Sequence, residues 1–132
     1  MHRFLLVTPN KDSLSLLAST LAEQGSVDLS WAQSGAKALD MISDTAFDLV
    51  VTDESLGDMT GLELAAKLIS INPMINCAAV SSLSPEDFHA ASEGLGLMDQ
   101  LSPRPGKKEA DNLLQRLIDL KNLMGSASVR RS

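Results

Sequence analysis

The sequence predicts one α/β domain, a five-stranded parallel sheet covered by helices on both faces. Short apolar runs rich in β-branched residues alternate five times with longer segments whose apolar residues recur at helical spacing. Such alternation builds βαβ units, which give parallel sheets sandwiched by helices. The chain has 132 residues, enough for one core and too few for two ordinary ones. A carboxylate, Asp53, ends the third apolar run just before a loop and a helix. Ligands of open α/β sheets bind at the C-terminal ends of the strands.

The first strand is Phe4 to Val7. Asn10 suits a helix N-cap, Leu14, Leu17, Ala18 and Leu21 share one helical face, and Gly25 suits the C′ position. Val27 to Ala32 alternates apolar with polar residues, as a strand with one less buried face does. Ser34 caps a second helix carrying Ala38, Leu39, Met41 and Ile42. Phe47 to Thr52 is the third strand. Thr60-Gly61-Leu62-Glu63 matches a capping box, and its helix puts Leu64, Leu68 and Ile71 on one side before Asn72-Pro73 ends it.

Ile75 to Val80 is the fourth strand. Ser84 caps the next helix, with Pro85 at its first position and Glu86 and Asp87 in its first turn, and the helix ends near Gly94 or Gly96. Leu97 to Ser102 reads as a short fifth strand stopped by Pro103-Arg104-Pro105. The last helix runs from about Lys108 to Met124, turning Leu113, Leu114, Leu117, Ile118 and either Leu120 or Leu123 inward. Residues 125–132 read as a tail or the start of a linker.

The formal net charge of −6 argues against direct nucleic-acid binding, which Lys and Arg drive by contacting phosphates. No apolar run reaches the roughly 18 residues a membrane helix requires, so no membrane partner is expected. Met1 to Val7 lacks a signal-peptide pattern, and the cytoplasm is the expected compartment. The single cysteine, Cys77, lies in an apolar run and reads as a small core residue. A flavin-type cofactor is disfavoured: the chain has no Tyr, one Trp and three Phe, and Thr8 to Asp12 contains no glycine for a phosphate loop.

Asp53-Glu54-Ser55-Leu56-Gly57-Asp58-Met59-Thr60-Gly61-Leu62-Glu63-Leu64 resembles the phosphoacceptor loop of response-regulator receiver domains. Ala32 to Leu39 is similar to that family's A-x-x-G-x-E-A-L segment. Ser81 falls where the family has a Ser or Thr ending its fourth strand, and Arg104-Pro105 is similar to the Lys-Pro after its fifth. The resemblance spans residues 3–124. It implies a flavodoxin-like, doubly wound fold with strand order 2-1-3-4-5 and five helices. It further implies Asp53 as phosphoacceptor, with Ser81 and Arg104 contacting the phosphoryl group, and a switch rather than an enzyme. Its partners would be a sensor histidine kinase or phosphotransfer protein on one side, and a downstream protein or output domain on the other.

The sequence departs from the family pattern in two places. The acidic pair that ends the family's first strand and helps hold Mg²⁺ is replaced by Thr8 and Pro9. Mg²⁺ favours octahedral oxygen ligands including one or two carboxylates, so Asp53 with a carbonyl near Ser55 predicts weak Mg²⁺ binding and no built metal site. Glu54 and Asp58 are spare carboxylates, read as solvated loop acids or as substitute ligands. The second departure is at the basic position: counting from Ser81 puts it at Pro103, whereas the dipeptide pattern puts it at Arg104. With Arg104 in that role, its guanidinium reaches Asp53 and a cis bond to Pro105 is implied. With Pro103 there, Arg104 points to solvent. Two functions follow from the resemblance: a phosphorelay acceptor switching a partner-binding face, or a degenerate receiver that binds proteins without phosphorylation. Leu95, Leu97 and Met98 are candidates for that face, or else for the core.

Overall fold

Successive side chains of the first strand point to opposite sides, and both sides are apolar, so a helical layer is required on each face. The computed structural model describes residues 2–25 and 27–129, apart from the side chains of residues 121 and 123–129. Its strands are β1 (His2–Val7), β2 (Val27–Ala32), β3 (Leu49–Thr52), β4 (Asn76–Val80) and β5 (Asp99–Leu101). Its helices are α1 (Ser15–Glu23), α2 (Gly35–Asp44), α3 (Gly61–Ile71), α4 (Pro85–Ala91) and α5 (Lys107–Val129), and a 3₁₀ turn over Lys11–Leu14 precedes α1. The sheet is parallel throughout, in the order β2-β1-β3-β4-β5. This is the flavodoxin-like arrangement that the family resemblance implies.

Phe4, Leu6, Leu49 and Val51 meet Leu14, Leu17 and Leu21 at the start and along the length of α1, and Leu113, Leu114 and Leu117 from α5. Leu5, Val7, Val50 and Cys77 face the other way, onto Ala38 of α2 and Leu64, Ala65 and Leu68 of α3. A buried Leu contributes roughly 1.5–3 kcal/mol relative to an exposed one, so these two layers dominate the stabilisation. A one-residue slip of β1 would exchange its two faces, so this double burial pins the register.

Caps act where local chemistry placed them. Ser34 accepts the amide of Lys37, Ser84 that of Asp87, and Thr60 with Glu63 forms the reciprocal capping box. Asn10 caps the 3₁₀ turn rather than α1 itself. Gly25 follows α1 with φ 73°, the left-handed conformation a glycine adopts without a Cβ clash.

Several boundaries differ from the expectation. β5 is three residues long, and α4 stops at Ala91, before the left-handed Gly94 and Gly96. α5 passes the expected stop at Met124 and continues to Val129. One interior Gly costs about 1 kcal/mol relative to Ala, and no Pro follows to break the helix. Leu120 is 39% exposed rather than inward, and the side chain of Leu123, its alternative, lies outside the described residues. Leu95 and Leu97 pack partly against the α2–α3 layer and Met98 against the α1–α5 layer.

The Cys77 thiol is 4% exposed, and burial pushes its pKa up from 9.0 to about 12. A thiol reagent at pH 8 is expected to leave the native protein unmodified and to label it fully on unfolding. Because the folded pKa is the higher one, this group's contribution is complete below pH 9 and lost as pH rises toward 12. Labelling of native protein at the unfolded rate would contradict this burial.

Candidate functional site

The ladder of the sheet runs one residue past each of three strands. Thr8 donates its amide to the Ala32 carbonyl, Asp53 to Val7 and Ser81 to Leu101, each at 2.9 Å. Thr8, Asp53 and Ser81 are therefore held by the backbone at one C-terminal edge. Asp53 follows β3 where the strand order reverses between β1 and β3, the crevice such sheets use for ligands.

The Asp53 carboxylate is half-buried and engaged on both oxygens. Thr8 Oγ1 lies 2.8 Å and Ser13 Oγ 2.7 Å from Oδ2, and the Glu54 amide donates to Oδ1 at 2.8 Å. The two hydroxyls are 3.2 Å apart, and each also approaches the Asn10 carbonyl, at 3.0 and 2.7 Å. Each hydroxyl carries one proton, so the pair divides two protons between the carboxylate and that carbonyl. Asn10 steadies the cluster by donating its amide to Thr8 Oγ1 at 3.1 Å. Ser13 was not among the residues singled out in the sequence. The 3₁₀ turn carries it back over the strand end, and no spacing motif marks that approach.

Of the other two loop acids, Glu54 is half-buried and Asp58 exposed, and both bind groups other than the Asp53 carboxylate. Glu54 Oε2 accepts from the Ser82 amide at 2.9 Å, the Ser82 hydroxyl at 3.0 Å and the Ser81 hydroxyl at 3.4 Å. Asp58 accepts from the amides of Gly35 and Ala36 at 3.0 and 2.9 Å, two donors left unpaired at the start of α2. The Ala36 bond, then the Gly35 bond, holds the Asp58 carboxyl below its usual 3.8. That contribution is present above the ordinary carboxylate range and is lost as pH falls through the lowered value.

Gly61 opens α3 against the site. A Cβ there would overlap the Asp53 carbonyl oxygen and stand 3.0 and 3.1 Å from Thr52 Cγ2 and Oγ1.

Arg104 does not approach Asp53. It is exposed, has no hydrogen bond or ion pair to a described residue, and takes φ 55°. The bond to Pro105 is trans, because no peptide among the described residues is cis. The expected Arg104–Asp53 pair is therefore not formed, and the Asp53 pocket has no basic partner among the described residues. Register explains why: Val80 lies opposite Leu101, so Ser102 is the residue that leaves β5 beside Ser81, with Pro103 after it. Ser102 is turned to Glu109, which accepts its amide at 2.8 Å and its hydroxyl at 2.6 Å.

Receiver domains typically bind Mg²⁺ at an acidic pocket. This donor set does not fit the ion. Asp53 is the one carboxylate at the strand edge that is not committed elsewhere, and two hydroxyls point at one of its oxygens. Among the described residues no three Asp, Glu, His or Cys side chains gather as a metal cluster. Little saturation is expected at millimolar Mg²⁺, whereas Thr8→Asp with Pro9→Asp should gain binding, because added carboxylates offset the dehydration of the cation. Tight binding by the natural sequence, followed by Trp31 fluorescence, would show that Glu54 or Asp58 swings in as a ligand.

A family model described as the response regulator receiver domain matches residues 4–118. A response regulator receiver protein of Anaeromyxobacter sp. (strain Fw109-5) is 31% identical over 105 residues, covering 80% of this chain and 43% of its own length. A protein-glutamate methylesterase/protein-glutamine glutaminase of Halobacterium salinarum is 31% identical over 104 residues, covering 76% of this chain and 29% of its own. The chain thus spans less than half the length of these curated relatives. Among solved structures, NtrX from Brucella abortus superimposes with a TM-score of 0.82 at 21% identity, over 98% of this chain and 30% of that one. The chemotaxis response regulator CheY4 of Vibrio cholerae does so with a TM-score of 0.79 at 19% identity, over 89% and 98%. The match along most of its length, on a sheet of this order with an acid at the third strand end, places the chain in the response regulator receiver domain family, whose function is phosphorylation-dependent signalling in two-component systems.

Proposed function

We propose that this chain is switched by phosphorylation of Asp53. The reading rests on one observation above all: a carboxylate at the β1/β3 crevice whose Oδ2 faces the Thr8 and Ser13 hydroxyls while the other oxygen, Oδ1, takes a single donor. Oδ1 keeps a lone pair to give. In the proposed step it attacks the phosphorus of a phosphohistidine. The new O–P bond forms as the P–N bond breaks, and the electron pair leaves with the imidazole nitrogen. Positioning and charge stabilisation supply most of the help such a transfer needs. Here Thr8 and Ser13 hold the carboxylate, and the Ser81 hydroxyl, at the same strand edge, is the proposed contact for a phosphoryl oxygen.

Receiver domains act with histidine kinases or phosphotransfer proteins and with output domains. For this chain the proposed donor is a sensor histidine kinase or a phosphotransfer protein, and the proposed receiver of the signal is a downstream protein or an output domain. Arg104 would serve as a second phosphate contact only by swinging in from its exposed turn. Among the described residues no helix is long and apolar enough to cross a membrane.

The test is incorporation of phosphate from phosphoramidate or acetyl phosphate, located by tandem mass spectrometry after borohydride trapping of the acyl phosphate. Label on Asp53 is expected. Absence of label under both donors, or label elsewhere, would overturn the reading.

A further inference from the structure

The carboxylate of Glu54 is seated on donors at the same strand edge as Asp53. Its Oε2 takes the Ser82 amide, the Ser82 hydroxyl and the Ser81 hydroxyl at once. Three donors converging on one oxygen at the end of a strand form an anion seat, and charged acceptors make the stronger hydrogen bonds. Ser81 is 5% exposed and bound on its other side, accepting the Leu83 amide at 3.1 Å, so its hydroxyl is held toward the carboxylate. Glu54 is also the residue next to Asp53 and gives its own amide to Asp53 Oδ1.

We propose that Glu54 is a tethered stand-in for the phosphoryl group, filling the Ser81–Ser82 seat while Asp53 is bare and leaving it when Asp53 is phosphorylated. The inference rests on Asp53 being the phosphoacceptor. One backbone N–H makes one good hydrogen bond, so the Ser82 amide cannot serve both anions. Two negative groups in a half-buried site also repel each other. The backbone of Glu54 is held through the exchange by its carbonyl, which accepts the Gly61 amide at 3.0 Å. Only side-chain rotation is needed to carry the carboxylate out to solvent.

Two consequences follow. Ser81 already faces inward in the unmodified protein, so the strand end does not need to rearrange on transfer. The change that a partner reads is the emergence of the Glu54 carboxylate on the β3–α3 loop. The tether also lowers the yield of phosphorylation, since the incoming group must displace an occupant.

The test uses the full chain, Glu54→Ala and Glu54→Gln, with acetyl phosphate below saturation. Freeing the seat should raise the ratio of labelled to unlabelled protein roughly tenfold for Glu54→Ala, the equilibrium value of about one hydrogen bond to a charged acceptor. Glu54→Gln keeps the length without the charge and should give a smaller rise. In the unmodified protein the Ser82 amide resonance should move upfield in Glu54→Ala, and phosphorylation should return it downfield. Natural-sequence protein that labels at Asp53 while both variants label equally or less would overturn the inference and leave the phosphoacceptor assignment standing. An unmoved Ser82 amide would overturn it too. If none of the three proteins takes label, the Asp53 assignment falls and the inference falls with it.

Discussion

Asp53→Asn is expected to abolish phosphate incorporation while leaving the fold intact. An amide has no carboxylate oxygen able to attack phosphorus, and no other described acid stands free at this strand edge. Glu54 is committed to Ser81 and Ser82, and Asp58 to the first amides of α2. Neither is placed to take over. Asn is close to Asp in size, and the neighbouring hydroxyls of Thr8 and Ser13 can donate or accept, so the unfolding midpoint should change little. Ser81→Ala is the informative companion. It should still incorporate phosphate but show a weaker structural response, because in the proposed switch the hydroxyl it lacks contacts the phosphoryl group only after transfer. Trp31 is a suitable reporter, since Lys11, next to Asn10 in the hydroxyl cluster, lies 5.1 Å from the centroid of its ring. Continued labelling of Asp53→Asn at the normal rate would remove Asp53 from the role.

Gly61→Ala is expected to be the most damaging small substitution in the loop. The added methyl would overlap a backbone oxygen, that of Asp53, and press on the fully buried Thr52. Neither neighbour is the loose end of a flexible side chain, so the start of α3 and the end of β3 must separate. Overpacking of this kind costs typically 1–3 kcal/mol, and here the displaced residue is the proposed phosphoacceptor. Urea denaturation should show that loss, and labelling of Asp53 should fall in parallel. Gly35→Ala supplies the contrast. The three atoms nearest its new methyl all belong to the side chain of Met59, which can rotate away, so a smaller loss is expected. Equal stability of Gly61→Ala and natural protein would mean that the contact relaxes without cost.

Much of the fold was legible because its causes are local. A capping box needs only residues three apart, and Thr60 with Glu63 forms one where the pattern was read. Runs such as Leu49 to Thr52 are apolar because both faces of a parallel sheet are covered, and burial of all four residues agrees. Strand ends were less legible. The Asp48 amide pairs with the Arg3 carbonyl, yet regular β3 begins only at Leu49, and β5 keeps only three residues of a longer apolar stretch.

By itself the sequence determined the layering, the strand and helix order in the chain, and the position of Asp53 at a strand end. These follow from periodicity and from hydrogen bonds between near neighbours. Tertiary structure alone decided what surrounds that carboxylate. Ser13 reaches Asp53 across 40 residues and Asp58 reaches Gly35 across 23, and Glu54 turns toward Ser81 rather than toward a cation site. Ser102, not Arg104, leaves β5 beside Ser81 because the β4–β5 register counts residues from Leu101. Such contacts depend on which strand ends lie side by side and which rotamer each side chain takes there, and neither is written in the spacing of residues along the chain.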